Sequence, residues 1–363
     1  MSDATSSRHS GGRRAPGFAA LAAAASLALL PVRFVQGFIY WGGGSRRFIY
    51  APSKLDPHAA HWMAYKFQTA MPGALLGTDR LVAYILHHFW LLYPGVIIFS
   101  AAELFAGLFL IFGLFTRASA AVTIGLSFVL MLLFGWQGAT CIDEWTMAAA
   151  NFGMGITLFL AGSGAYALDN VLLRRNPALG NKAWFGWVCG SAPLPLGDKV
   201  FKRLALVLFW ICAVFTLLTY NYYRGSLLTP FHGGPVSPAK HHWALGHGTL
   251  GGNGDVSFHA YVDAGTPAEP SNMVDASLMD PQGNMVEHWD GAALANLPKS
   301  AFHNDFAYQR FHAGKFGITG PVGAMATIAL PGATAAPLPA GNYVLKLVSV
   351  NAHVWLLPLT LAP

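Results

Sequence analysis

Five long apolar runs in the first 225 residues, with none after them, constrain this chain more than any motif does. They fall at roughly 17–41, 91–114, 118–136, 145–164 and 203–222, and a helix needs about 20 mostly apolar residues to cross ~30 Å of hydrocarbon. In lipid every backbone N–H and C=O must find its partner within the segment, so each run reads as a helix. Composition points the same way: 54% of the 363 residues are hydrophobic and 10% charged, against roughly 25% charged in a soluble domain. The first run follows Arg13-Arg14, as a secretory signal would. It stays apolar through Phe34, Phe38 and Tyr40 with no small-residue cleavage site, and so reads as an uncleaved span.

The formal net charge of +6 lies mostly in short loops beside these runs, where it sets orientation rather than recruiting nucleic acid. With a cytoplasmic N-terminus, Arg8, Arg13, Arg14, Arg117, Arg174, Arg175, Lys182, Lys199, Lys202 and Arg203 all fall inside. The same assignment puts the 42–90 loop, the 136–145 loop and everything past Tyr223 outside. Arg46, Arg47, Lys54 and Lys66 then form a basic group on the outer face, against the bias. They read either as an anion-binding group or as part of a long loop that crosses regardless of charge. Within that loop, 57–71 and 79–88 carry aromatic and apolar residues at helical spacing, which predicts two interfacial helices roofing the bundle.

After about 225 the pattern changes to glycine, proline and alternating apolar positions, as in 255–262, 274–279, 323–330 and 343–350. Alternation over four to eight residues between turn signals predicts half-buried strands. Asp280-Pro-Gln-Gly-Asn284 predicts a hairpin turn. The expected organisation is a polar, disordered cytoplasmic tail at 1–16, a transmembrane helical domain at 17–224, and an all-β, sandwich-like extracytoplasmic domain at 225–363. Cys141, Cys189 and Cys212 form no CxxC pair, no GxGxxG opens a βαβ unit, and no CxxCH or HExxH pattern occurs, so no metal, haem or flavin site is expected.

Three groups of residues could carry chemistry. In Trp136-Gln-Gly-Ala-Thr-Cys-Ile-Asp-Glu-Trp145 a thiol and two carboxylates sit where the chain turns between spans three and four. A helix starting near Glu144 would point free N–H groups at Cys141, favouring a thiolate or a bound anion, with Asp143 or Glu144 handling protons. The segment reads equally as a capped helix turn flanked by interfacial tryptophans. At the end of span one, Trp41-Gly-Gly-Gly44 and Arg46-Arg47 could cradle an oxyanion, the glycines letting the backbone bend or approach a ligand; a flexible exit loop would look alike. Arg33 and Glu103 lie inside apolar runs, where ionisable groups are costly and are functional candidates. They read as a pair at one depth, either lining a proton-handling pocket or locking spans one and two together. His88, before span two, could donate a proton or sit among headgroups.

With these residues laid out, the chain resembles the membrane thiosulfate:quinone oxidoreductases of sulfur-oxidising prokaryotes. Residues from about 30 to 222 resemble their DoxD subunit through Arg33-Phe-Val-Gln-Gly37, the Trp41 to Pro57 stretch, the Thr140 to Gly155 stretch and Asp169-Asn170. The β-rich tail resembles the DoxA subunit by position and strand pattern. The resemblance implies oxidation of two thiosulfates to tetrathionate, with two electrons passed to a membrane quinone as bound acceptor, in a prokaryotic cytoplasmic membrane. It implies quinone, lipid and indirectly a quinol-oxidising terminal oxidase as partners, with a homo-oligomer possible and no nucleic acid. It carries no residue roles. On local chemistry alone, Cys141, Asp143 and Glu144 are assigned to catalysis, Arg46, Arg47 and Trp41 to thiosulfate, and Arg33, Glu103 and His88 to the quinone and its protons. The competing expectations are a non-catalytic DoxX-like anchor presenting the β-domain to a partner, and an oxyanion carrier, which the lack of an inverted repeat disfavours.

Overall fold

The computed structural model describes residues 17–137, 144–224, 241–334 and 336–362; the tail expected at 1–16 lies outside them. The first apolar run forms α1 (Phe18–Ser45), which continues as a π-helical turn over Arg46–Tyr50. Trp41-Gly-Gly-Gly44 is therefore helical, where the sequence suggested a bend or an exit loop. Two short helices follow, α2 (Met63–Ala70) and α3 (Thr78–His87), and then α4 (Phe89–Phe112) runs back along α1. The glycines make this seam: a Cβ on Gly44 would lie 2.5 Å from the Leu104 nitrogen, and one on Gly107 2.2 Å from the Trp41 nitrogen. Without a hydrophobic driving force between helices in lipid, such close backbone approach supplies the packing energy.

α5 (Thr116–Phe134) and α6 (Glu144–Ala161) form a second antiparallel pair, whereas α1 and α6 meet only lightly. After the short α7 (Leu168–Arg175) and α8 (Ala183–Val188), α9 (Asp198–Arg224) runs back to the other end of the bundle, touching α6. Among the described residues four helices are long and apolar enough to cross a membrane: Ala19–Tyr50, Phe89–Phe112, Thr116–Phe134 and Asp198–Tyr223. The run expected at 145–164 is α6, whose 18 residues extend about 27 Å. Its Glu144 and Asn151 lower its apolar character, and it completes the bundle as a fifth, more polar helix.

From His242 onward the alternation becomes sheet. A four-stranded antiparallel sheet holds β1 (His242–Leu250), β2 (Val256–Ala264), β5 (Phe302–Asn304) and β8 (Met325–Leu330), in the order β1-β2-β8-β5. A six-stranded antiparallel sheet holds β3 (Ser271–Met279), β4 (Met285–Trp289), β6 (His312–Gly314), β7 (Gly317–Gly320), β9 (Gly341–Ser349) and β10 (Val354–Leu361). In β2 the residues Val256, Phe258, Ala260, Val262 and Ala264 are buried while Ser257, His259, Tyr261 and Asp263 between them are not, as a period of two requires. The inner faces share one core that includes Phe258, Met273, Phe311, Ile328 and Leu345. The expected turn after β3 is present: Asp280 Oδ1 accepts from Gln282 N at 2.9 Å and Asn284 N at 2.7 Å.

The β-domain docks on α2 and α3, so these helices are sandwiched between bundle and sheet rather than lying free as a roof. Gln68, fully buried, donates to the Gln309 and Gly323 carbonyls at 2.8 and 2.9 Å and accepts from Gln309 N at 2.8 Å. Gly323 is needed here: its φ is +86° and a Cβ would lie 2.3 Å from the Gln68 carbonyl oxygen. Around this clamp Tyr308 packs edge-on against Trp62, Phe306 stacks on His87, and Trp136 donates to the Ala70 carbonyl at 2.9 Å. Trp136 and Trp145, expected as interfacial anchors, are both buried, Trp145 donating to Thr219 on α9 at 3.0 Å.

The far end of the bundle is tied by charge. The buried Asp169 carboxylate accepts from the backbone N–H groups of Phe115, Thr116 and Gly190. Beside it the Arg117 guanidinium donates to carbonyls of Phe159, Gly186, Cys189 and Ala192. Arg33 joins this clasp, donating to the carbonyls of Ser163, Ala165 and Tyr166.

Candidate functional site

A cavity of about 690 Å³ opens at the domain end, where α1 and α6 separate. The π-helical turn projects Arg46 and Arg47 into it, the segment after it adds Lys54, and α2 adds Lys66. Such π turns are over-represented at functional sites because they re-aim side chains that a regular helix would spread. Glu103 from α4 and Glu144 from the start of α6 complete the charged wall. Phe38, Ile39, Leu130, Met147 and Ala148 add apolar lining. Of these, Phe38 and Met147 are also exposed on the outside of the bundle.

The charges are only half paired. Arg47 bonds Glu103, both largely buried, with Phe99 beneath the guanidinium at 5.7 Å; Lys66 Nζ reaches Glu144 Oε1 at 3.0 Å. Arg46 and Lys54 make no ion pair among the described residues. Partial burial, and then the positive charges of Arg46, Arg47 and Lys66, lower the Lys54 ammonium's pKa from its ordinary value. Among the described residues, four cations against two carboxylates leave a net +2 when all are ionised, a charge that a divalent anion would neutralise.

A polar ladder descends from the cavity floor. Asn151 lines it and donates to the Met147 carbonyl at 2.9 Å, leaving its buried Oδ1 without a partner. Below, Gln36 donates to the Asn151 carbonyl at 2.8 Å and keeps its own Oε1 unpartnered, and Tyr40 OH lies 2.6 Å from Ser127 Oγ. Buried acceptors of this kind are costly unless something donates to them.

The structure thus brings together Arg46, Arg47, Glu103 and Glu144 among the residues singled out in the sequence. Cys141 and Asp143 lie outside the described residues. Arg33 and Glu103 do not pair: Glu103 sits against Gly43, and Arg33 is ten residues nearer the start of α1, about 15 Å away along the axis. Arg33 serves the far-end clasp instead. Trp41 is also displaced from the cavity; its ring tilts against Phe38, 5.6 Å away, and its backbone abuts Gly107. His88 ends α3, its Nδ1 2.7 Å from the Tyr84 carbonyl, and does not line the cavity. Lys54 and Lys66 were visible as charges against the orientation bias. Asn151 was overlooked, though a lone amide inside an apolar run is a readable signal.

A helical bundle under a β-sandwich, with a cavity lined by both basic and apolar residues, defines a membrane protein of two parts. The family matches make this particular. Residues 28–196 match the family described as TQO small subunit DoxD, and residues 223–357 match TQO small subunit DoxA, TQO being thiosulfate:quinone oxidoreductase. The chain belongs to these subunit families and carries both in one polypeptide. The DoxD match ends before α9, so that helix falls almost wholly between the two matches.

Proposed function

We propose that this chain oxidises two thiosulfates to tetrathionate and passes the two electrons to a membrane quinone, both reactions meeting in the cavity between α1 and α6. The observation that carries this reading is the cavity's mixed lining: Arg46, Arg47, Lys54 and Lys66 together with Phe38, Ile39, Leu130 and Met147. Thiosulfate is a divalent anion, matched in charge by the unpaired cations. A quinone head is apolar with two carbonyls, and it reaches the cavity laterally between α1 and α6.

The overall step balances as two thiosulfate dianions, one quinone and two protons giving tetrathionate and quinol. Coupling thiosulfates releases no protons, so the protons for quinol come through the protein. Glu103 and Glu144 are the carboxyl groups in the cavity wall, and the Asn151 amide oxygen offers an acceptor to a quinol hydroxyl. Cys141 stands three positions before Glu144 in the sequence. In the covalent route its thiolate and a thiosulfate form a Cys–S–S–SO₃⁻ adduct as quinone takes two electrons. The outer sulfur of a second thiosulfate then attacks the sulfane sulfur bonded to Cys141 Sγ; the Sγ–S bond breaks, releasing tetrathionate and restoring the thiolate. In the direct route the two thiosulfates couple without an adduct.

Arg174, Arg175, Lys182, Lys199, Lys202 and Arg203 at the far end support an orientation with that end in the cytoplasm and the β-domain outside. The test is thiosulfate-dependent reduction of a soluble quinone analogue by the purified full-length chain in detergent, with tetrathionate counted. About one tetrathionate per quinol supports the reading. A folded, quinone-supplied preparation that forms none favours the non-catalytic anchor instead. Unchanged turnover in Cys141→Ser selects the direct route.

A further inference from the structure

A second cavity, of about 450 Å³, lies above the first where the two domains meet. Its walls come from both: Lys66, Thr69, Gln137 and Glu144 from the membrane part, and Gln309 with the 266–268 loop from the β-domain. Lys66 and Glu144 line both cavities, so their 3.0 Å ion pair is the partition between them. We propose that this upper chamber is the seat of the second thiosulfate, and that Lys66 serves both anions across the partition. The proposal rests on the thiosulfate-coupling reading above and adds where the second substrate binds.

Three observations carry it. First, Gln137 Nε2 is buried with no hydrogen-bond partner, a donor in the chamber wall that a bound oxyanion would satisfy. Second, joining two dianions requires their outer sulfurs to meet against strong mutual repulsion, and a cation between them is the direct remedy. Lys66 is in that position, and its ammonium, 5.0 Å over the Phe134 ring, has an alternative partner when Glu144 is displaced. Third, the chamber exists only when the β-domain is docked: Gln309 Nε2 donates to Thr69 Oγ1 at 2.7 Å across the seam, and Gln68 holds the same strand of chain. Glu144, the one carboxylate in the chamber wall among the described residues, is ion-paired with Lys66. The chamber is several times the ~30 Å³ share of one water molecule, ample for a small oxyanion.

The test is equilibrium binding of ³⁵S-thiosulfate to the purified full-length chain without quinone, alongside tetrathionate formation with quinone. The expected stoichiometry is two thiosulfates per wild-type chain. Gln137→Leu should weaken one site by about tenfold or more, the loss of a hydrogen bond to a charged group, and leave the other unchanged. Lys66→Met should weaken both. A wild-type chain that turns over but binds one thiosulfate, or a folded Gln137→Leu that keeps both sites intact, overturns the chamber while the oxidoreductase reading stands. A chain that binds none and makes no tetrathionate overturns both.

Discussion

Replacing Gln68 with leucine should undock the β-domain. The side chain is fully buried and makes three hydrogen bonds at 2.8, 2.9 and 2.8 Å, all to backbone groups of the other domain. Leucine fills a similar volume but strands the Gln309 and Gly323 carbonyls and the Gln309 N–H in a dry seam. Each stranded group costs about 1–3 kcal/mol, so the low end of that range gives about 3 kcal/mol for the three. At 1.4 kcal/mol per tenfold, the undocked population should rise roughly 100-fold. Hydrogen exchange read on α2 and on the segment around Gln309 measures this directly: protection there should fall by about that factor while β2 and β9, in the sheet cores, keep theirs. Thr69→Val, which removes a single hydrogen bond across the seam, the one from Gln309 Nε2, together with a bond to the Tyr65 carbonyl within α2, should shift exchange by about tenfold or less. Protection of α2 unchanged within about twofold in Gln68→Leu would refute the clamp.

Other outcomes follow from the charged groups. Arg46→Ala and Lys54→Met should each raise the thiosulfate KM by about tenfold or more with no loss of thermal stability, since neither has an ion-pair partner among the described residues. For Lys54 the sign can be worked out: its folded pKa lies below the unfolded one, so its charge opposes folding at neutral pH and stability gains as pH rises through the lowered value. Lys54→Met should therefore hold or raise the melting temperature while binding weakens, and Lys54→Arg should carry thiosulfate affinity to higher pH. Arg33→Ala should lower folded yield and melting temperature, leaving turnover per folded molecule intact; a selective loss of turnover would contradict its structural assignment. Burial first, and then Asp169, push the Cys189 thiol up to about 12, so maleimide at pH 8 should leave it unlabelled until the protein unfolds.

What was legible in the sequence was whatever repeats locally. The apolar runs, the period-two strands and the hairpin at Asp280 are properties of neighbouring residues, and they appear where the pattern put them. The basic wall was half legible, because Arg46, Arg47, Lys54 and Lys66 violate a charge bias that can be counted without knowing the fold. Pairings were not. Glu103 and Arg47 are 56 positions apart and Lys66 and Glu144 are 78 apart, and only the facing of α1 on α4, and of α2 on α6, selects them. Arg33 misled for the same reason: its depth was counted from an assumed span end, but its partners are carbonyls 130 or more positions on, beyond the end of α6. The glycines after Trp41 were read as freedom for the backbone; in the bundle a Cβ on Gly43 would meet the Glu103 carboxylate and one on Gly44 the α4 backbone at Leu104.

The helix between the two family matches, α9, settles a question of parity. Four bundle helices return the chain to the end where it started, the wrong end for a domain that must sit over the cavity mouth. One further crossing delivers it, and that crossing is covalent. The ratio of the two parts is thereby fixed at one to one, and docking becomes an intramolecular event, for which a short tether supplies an effective concentration in the millimolar range. A seam held chiefly by one glutamine and a few rings would be a weak complex between separate chains. Within one chain the same few contacts are enough to keep the β-domain seated on α2 and α3.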